Sequence, residues 1–97
     1  MAYVVAARWT AKAGHEDDVR AAIMALATAS RAESGCQLYE LHRDPDDPRV
    51  FFFYERFDAE ADFQRHAGSE HFQREAVERA FPLLESRERF FYETLEL

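Results

Sequence analysis

The sequence predicts an α+β protein whose elements follow the order β-α-β-β-α-β. Two observations support this prediction. Segments rich in β-branched and aromatic residues alternate with segments in which apolar residues recur every three or four positions. Turn-forming residues separate these segments, most clearly in the run DPDDPR at residues 44–49. A chain of 97 residues has the length of one domain, so residues 1–97 are expected to form a single unit.

The first strand and the first helix are predicted in the N-terminal third. Residues 2–10, AYVVAARWT, have the composition of a strand. Acidic residues at 16–18 suit the positive end of a helix dipole, and an apolar stripe at helical spacing follows them. Gly35 is the expected C′ residue that ends this helix. The members of the stripe are Val19, Ala22, Ile23, Leu26 and Ala29 or Ser30.

A hairpin is predicted after the helix. Residues 36–44, CQLYELHRD, alternate between apolar and polar side chains, as a half-buried strand does. Residues 50–57, VFFFYERF, have the strongest strand pattern in the chain. The proline- and aspartate-rich turn between them leaves an antiparallel pair as the simplest arrangement.

The second helix is predicted in two pieces. Asp58 is a candidate N-cap for the first piece, and Gly68 interrupts the helix. Ser69 can cap the second piece, which Pro82 ends. Residues 87–97, RERFFYETLEL, are the predicted closing strand. The whole order is the ferredoxin-like arrangement, a four-stranded antiparallel sheet with the helices on one face.

Both faces of the predicted third strand are apolar. Phe51 and Phe53 lie on one face and Phe52 and Tyr54 on the other, so the face away from the helices needs a cover. An exposed aromatic sheet could stack single-stranded RNA, but a formal net charge of −7 opposes nucleic-acid binding. A homodimer joined through the sheets is therefore the preferred interpretation.

The composition argues against several other classes. The negative net charge disfavours anionic membranes, and no apolar run approaches the roughly 20 residues of a membrane span. Cys36 is the single cysteine, which excludes an internal disulfide. The N-terminus lacks the pattern of a signal peptide. A cytoplasmic protein is expected.

An ordered set of short motifs resembles the antibiotic biosynthesis monooxygenase domain family. The motifs lie in the segments ESGCQLYELHRD, FFFYERF and FQRHAGSEHF, and they extend over nearly the whole chain. No single motif is specific, whereas their order is. The positions that fit the family pattern are Glu33, Gly35, Tyr39, Asp44, Tyr54, Glu55, Phe57, Phe63, His66, Ser69, His71 and Phe72.

This resemblance implies a dimeric α+β barrel that oxidises a small aromatic or quinol-type compound with O2, without flavin, haem or metal. Haem-degrading members carry a histidine one turn after the Ser-x-x-Phe motif. Glu75 and Ala76 stand there in this chain, so no haem is expected. The alternative interpretation is a non-catalytic dimeric module of the same fold that binds a small ligand or a protein. A cavity reached by an imidazole would favour the enzyme.

His66 and His71 are the candidate catalytic residues. An imidazole can remove a phenolic or enolic proton near neutral pH, which makes such a substrate more reactive toward O2. The turn at Gly68 could direct both rings into one cavity. His66 follows Phe63 by three residues on one helix face, whereas Phe72 directs its neighbour His71 toward the rim. His66 is therefore the preferred base.

Aromatic side chains are expected to bind the substrate. They are Trp9, Tyr39, Phe53, Tyr54, Phe63 and Phe72. No metal is expected, because zinc and iron sites need three or four ligands and the two histidines are spaced across a helix break. Glu55 is expected to pair with Arg87 or Arg89 across the dimer, with a catalytic role as the alternative.

Overall fold

The computed structural model describes residues 1–96, and this part of the chain contains four strands and three helices. The strands are β1 (Tyr3–Ala11), β2 (Cys36–Arg43), β3 (Val50–Phe57) and β4 (Leu84–Glu93). The helices are α1 (Glu16–Arg31), α2 (Glu60–Ala67) and α3 (Phe72–Ala80). Helix α3 has the wider hydrogen bonding of a π-helix, and a 3₁₀ turn at Phe81–Leu83 leads from it into β4.

The four strands form one antiparallel sheet in the order β2-β3-β1-β4. In its centre, Val5 of β1 lies between Glu55 of β3 and Phe91 of β4. The predicted ferredoxin-like order and the predicted hairpin of β2 and β3 are both confirmed. None of the helices in residues 1–96 is long and apolar enough to cross a membrane.

The helices cover one face of the sheet. The apolar stripe predicted for α1 is buried there, where Ile23 and Leu26 belong to the same core as Trp9 and Phe53. The opposite face carries aromatic side chains with no cover in the single chain. Phe52, Phe90 and Tyr92 are 37%, 53% and 57% exposed, so both faces of the sheet are apolar, as the strand patterns predict.

The ends of three elements, β4, α2 and α1, differ from their predicted positions. Strand β4 begins at Leu84 because a register shift between Thr10 and Ala11 brings Leu84 opposite Ala11. Residues 94–96 lie beyond the strand, and the predicted strand residue Leu97 lies outside the described residues. Asp58 does not cap α2.

The hydrogen bonds at the start of α2 explain why Asp58 is not its cap. Ala59 is the N-cap of α2, and its N–H donates to the Asp62 carboxylate at 3.0 Å. Asp58 instead accepts a hydrogen bond from Gln37 Nε2 at 2.7 Å. Residues 70 and 71 already have a helical backbone ahead of α3, and Ser69 caps this stretch as predicted, because its hydroxyl accepts the Phe72 N–H at 3.2 Å.

Gly35 does not end α1, which stops at Arg31, but it is required in the turn that follows. Its φ of +89° is a left-handed conformation that favours glycine. A Cβ atom there would also lie 2.3 Å from Asp62 Oδ1 and 3.0 Å from the Asp62 Cβ. Gly35 therefore lets the turn before β2 approach the first turn of α2 closely.

We expect Gly35→Ala to destabilise the fold more than Gly14→Ala. Gly14 has a similar φ of +85°, but a Cβ added there would have no atom within 4 Å, so it serves as the matched control. The control should lose about 1–2 kcal/mol through backbone strain alone. Gly35→Ala should lose that amount and at least about 1 kcal/mol more through the clash. Urea unfolding of both variants measures the difference, and equal losses would contradict the close approach.

Candidate active site

A cavity of about 330 Å³ lies between the sheet and the helices. Its walls come from all four strands, from α2 and from the start of α3, and they combine five aromatic side chains with charged side chains of β3 and β4. This volume suits a small aromatic molecule held between apolar surfaces. The aromatic residues of the wall are Trp9, Tyr39, Phe63, Phe72 and Phe91.

Two buried polar side chains, His66 and Glu55, also line the cavity. His66 is on α2, three residues after Phe63, and the two are 1% and 4% exposed because their helix face turns toward the sheet. Glu55 is in the middle of β3 on the helix-facing side and is 5% exposed. The burial predicted for His66 from its spacing to Phe63 is thus confirmed.

Glu33 fixes the orientation of the His66 ring. The Nδ1 atom of His66 lies 2.9 Å from Glu33 Oε2, and His71 Nε2 contacts the same oxygen. Because a carboxylate accepts but does not donate, each imidazole donates its N–H to Glu33. His66 therefore carries its proton on Nδ1, and its unprotonated Nε2 is directed toward Glu55.

Burial lowers the pKa of His66, and the hydrogen bond and negative charge of Glu33 partly oppose this shift. A lowered pKa leaves the ring neutral at pH 7. Within the cavity wall, His66 Nε2 is thus a proton acceptor with a carboxylate behind it. The same histidine–carboxylate arrangement orients general bases in many enzymes.

Glu55 lacks the usual partners of a buried carboxylate. Its Oε1 atom is buried without a hydrogen-bond partner, and the nearest basic atom is His66 Nε2 at 3.7 Å. Burial raises the pKa of Glu55 to about 8; the positive charge of Arg89 opposes the shift and the negative charge of Glu33 adds to it. Glu55 is therefore mainly a neutral carboxylic acid at pH 7.

The expected ion pair of Glu55 is not formed inside one chain. Among residues 1–96, no ion pair joins Glu55 to Arg87 or Arg89. The two arginines lie at the cavity rim, where Arg87 stacks 3.8 Å from the centre of the Phe81 ring. A pairing across a dimer stays a prediction.

Five of the predicted site residues line the cavity, and three do not. Phe53 is only 1% exposed and packs behind Trp9, with ring centres 4.4 Å apart, so it supports the wall from the core. Tyr54 is on the opposite face of the sheet because side chains alternate along β3. The residues in the wall are Trp9, Tyr39, Phe63, His66 and Phe72.

The expectation that both imidazoles face one cavity is wrong. His71 lies on the far side of Glu33, in a separate hollow of about 240 Å³ that also contains Asp62 and Arg65. Phe72 turns toward the main cavity, and its neighbour His71 consequently turns away from it. His71 can act on a bound molecule only through Glu33 and His66.

Sequence reasoning gave no site role to Glu33 or Phe91. Glu33 is separated from His66 and His71 by 33 and 38 positions, so no local spacing could connect them. The only signal was its place in the family pattern. Phe91 lies opposite Val5 on the helix-facing side of the sheet, a position that the strand alternation could have indicated.

Glu33, His66 and His71 could also hold a metal ion, since each offers one ligand atom and these atoms lie within 4.8 Å of one another. Glu33 is distant from both histidines in sequence, so their spacing gave no sign of this third ligand. The same three atoms satisfy one another through hydrogen bonds, so the cluster is complete without a cation. The absence of a metal cofactor stays a prediction.

The sheet order and the cavity between sheet and helices define a ferredoxin-like α+β protein with a pocket of small-molecule size. The sequence pattern of the antibiotic biosynthesis monooxygenase family matches residues 2–79, and the chain belongs to this family. No curated protein sequence matches the chain.

Solved structures agree with this assignment. The crystal structure of PA3566 from Pseudomonas aeruginosa is 32% identical, with a TM-score of 0.91 over 98% of this chain and 95% of the other. Protein SO0527 from Shewanella oneidensis is 31% identical, with a TM-score of 0.88 over 94% of this chain and 88% of the other. Rv0793 from Mycobacterium tuberculosis, 24% identical, shares the fold, with a TM-score of 0.89 over 100% and 98% of the two chains.

We expect Glu55→Gln to be more stable than the wild-type chain at pH 8 and equally stable near pH 4. The pKa of Glu55 is raised from its ordinary 4.5 to about 8, so the folded state keeps a proton that the unfolded state releases between these values. Stability must then fall as the pH rises through this window. One pKa unit corresponds to about 1.4 kcal/mol, so the loss is on the order of 2–5 kcal/mol.

Urea unfolding of both chains from pH 4 to pH 9 measures this difference. The comparison removes the contributions of the other titrating groups because both chains contain them. A difference in unfolding free energy that does not change with pH would show that Glu55 titrates normally.

Proposed function

We propose that this protein is a cofactor-independent monooxygenase that oxidises a small aromatic or quinol-type compound with O2. The observation that carries the proposal is the contact of His66 Nδ1 with the Glu33 carboxylate, which leaves Nε2 as a proton acceptor in the cavity wall. Membership of the antibiotic biosynthesis monooxygenase family supports this type of chemistry. The alternative, a module that binds a ligand without turnover, does not account for an oriented base in the wall.

The first step is removal of a substrate proton. The aromatic walls hold the planar substrate with a phenolic or enolic hydroxyl near His66 Nε2. The O–H bond breaks, its electron pair stays on the substrate oxygen, and the proton moves to Nε2. The Glu33 carboxylate stabilises the imidazolium that forms, and His71 keeps Glu33 in position through the second hydrogen bond.

The second step is reaction of the electron-rich anion with O2. For a substrate whose reacting carbon is a methylene group in its keto form, that methylene becomes a carbonyl group. One oxygen atom of O2 enters the carbonyl, and the other leaves as water with the two methylene hydrogens. The substrate supplies all four electrons that O2 takes up, so no external reductant is required. The protein supplies the base, the aromatic walls and the space for O2.

We propose in addition that two chains associate through the face of the sheet that the helices leave open. This face carries Phe52, Phe90 and Tyr92, all more than one third exposed in the single chain. Two identical sheets packed face to face would cover these side chains and close a barrel. Such an interface should bury more than about 1,000 Å² in total.

We expect His66→Gln to lower turnover by roughly 10²- to 10⁴-fold, the usual range for loss of a general base. Glutamine retains a hydrogen-bonding group in the buried position, whereas alanine would leave Glu33 without this partner. His71→Ala should reduce turnover less, because His71 acts only through Glu33. His15→Ala is the matched control and should keep the wild-type rate, since His15 lies outside the cavity.

Oxygen uptake with a panel of quinols and anthrones, without added cofactor and with a chelator present, measures these rates. Wild-type rates in both His66→Gln and His71→Ala would show that the histidines only shape the helix junction. Activity that the chelator abolishes would contradict the cofactor-independent mechanism.

We expect Phe90→Arg to convert a dimer into a monomer in sedimentation velocity at micromolar concentration. Phe90 is 53% exposed on the open face of the sheet, and a charge there would be buried without a partner in the dimer. Met24→Arg is the matched control, because Met24 is equally exposed at 53% on the surface of α1. A wild-type chain that sediments as a monomer would refute the proposed assembly.

A further inference from the structure

Glu55 has a buried carboxyl group without a hydrogen-bond partner, and the role of His66 as a base does not account for it. Buried polar side chains almost always have a hydrogen-bond partner, and the exceptions concentrate at functional sites. Glu55 Oε1 has none, although the side chain is 5% exposed and lines the cavity. Because Glu55 lines the cavity, a molecule bound there could be the hydrogen-bond partner of Oε1.

Glu55 and His66 reach the cavity from two different elements. Glu55 extends from β3 in the sheet, and His66 extends from α2 above it, with Oε1 and Nε2 3.7 Å apart. This separation is too long for a direct hydrogen bond. It is short enough for both groups to reach the same reacting centre of a substrate that lies against them.

We propose, on the basis of the function above, that Glu55 is a second catalytic residue. In this proposal it supplies the proton to the oxygen that leaves O2 as water, while His66 removes the first substrate proton. The two residues form an acid–base pair in which the carboxyl group starts with a proton and the imidazole starts without one.

The pair returns to its starting state in each turnover. His66 Nε2 takes the first proton, and the resulting carbanion-like centre donates an electron pair to O2, which forms a C–O bond and a peroxide anion. Glu55 then gives its proton to the terminal peroxide oxygen. The Glu55 carboxylate next removes the remaining hydrogen from the oxidised carbon as a proton.

The electron pair of this C–H bond forms the C=O bond. At the same time the O–O bond breaks, and the electron pair of the O–O bond leaves with the departing hydroxide. The protonated His66 gives its proton to the hydroxide, which becomes water. Two protons leave the substrate, one from its hydroxyl group and one from the reacting carbon, and two reach the departing oxygen. Glu55 is again a carboxylic acid and His66 is again neutral, so no outside acid, base or reductant is consumed.

The surroundings of the pair keep it in this state at neutral pH. Burial raises the pKa of Glu55 to about 8 and lowers that of His66, an inversion of their ordinary order that separates acid and base roles. Glu55 keeps its proton below about pH 8, so turnover should fall as the pH rises through this value.

The titratable and charged groups that face Glu55 are His66 of α2, Glu33 after α1, Cys36 and Tyr39 of β2, and Arg89 of β4.

Glu55→Gln separates the two roles, because an amide occupies the same volume but cannot give up a proton in this way. We expect the variant to bind an anthrone and form its anion under anaerobic conditions as the wild type does, which the absorption spectrum of the anion records. In oxygenated buffer it should consume O2 but release the carbonyl product at least about 100-fold more slowly. The decline of turnover near pH 8 should disappear.

His66→Gln should show the opposite pattern, with loss of the anaerobic anion. Glu78→Gln, which changes an exposed carboxyl group on α3 away from the cavity and the open face of the sheet, is the matched control and should behave as the wild type. If the wild type turns over and Glu55→Gln forms product at the wild-type rate with the same pH dependence, the role of Glu55 is refuted while the proposed function stands. If no compound of the panel consumes O2 with the wild type, the proposed function and this role are both refuted.

Discussion

The hydrogen bonds to the Glu33 carboxylate are the interactions on which the site depends. One oxygen of Glu33 contacts His66 on α2 and His71 just before α3, so a single side chain after α1 joins three helical segments. Because Glu33 only accepts, it also decides which nitrogen of His66 carries the proton. The same contacts therefore set the helix junction and the chemistry of the cavity wall, and a change at Glu33 would disturb both.

Burial gives the cavity its acid–base character at a cost in stability. The sheet and helices exclude water from His66 and Glu55, which favours the neutral form of each group. The wild-type chain therefore loses stability as the pH rises above the ordinary pKa of Glu55, and the packing of the aromatic core has to offset that loss. A group that destabilises the fold in this way is better explained by a role in the reaction than by a role in packing.

The features that the sequence predicted correctly are those set by local patterns. Spacing within one helix predicted the apolar stripe of α1 and the burial of His66 beside Phe63. Strand patterns on both sides of a short turn predicted the β2–β3 hairpin. The Glu33 contacts, the register shift beside Ala11 and the approach of Gly35 to Asp62 join residues far apart in the chain. No periodicity records such contacts. The position of Phe72 did indicate that His71 turns toward the rim, but the contact of His71 with Glu33 could not be predicted.

Strand β4 connects the proposed assembly with the proposed chemistry. It is an edge strand, and all of its residues except Leu84 are exposed in the single chain. Alternation places Phe91 and Arg89 toward the cavity and Phe90 and Tyr92 on the open face. A partner sheet packed on Phe90 and Tyr92 would fix the strand from behind, and it would thereby fix the cavity wall and the Arg89 charge that acts on Glu55. In the proposed dimer, the geometry of each active site therefore depends on the neighbouring chain even where that chain contributes no catalytic residue.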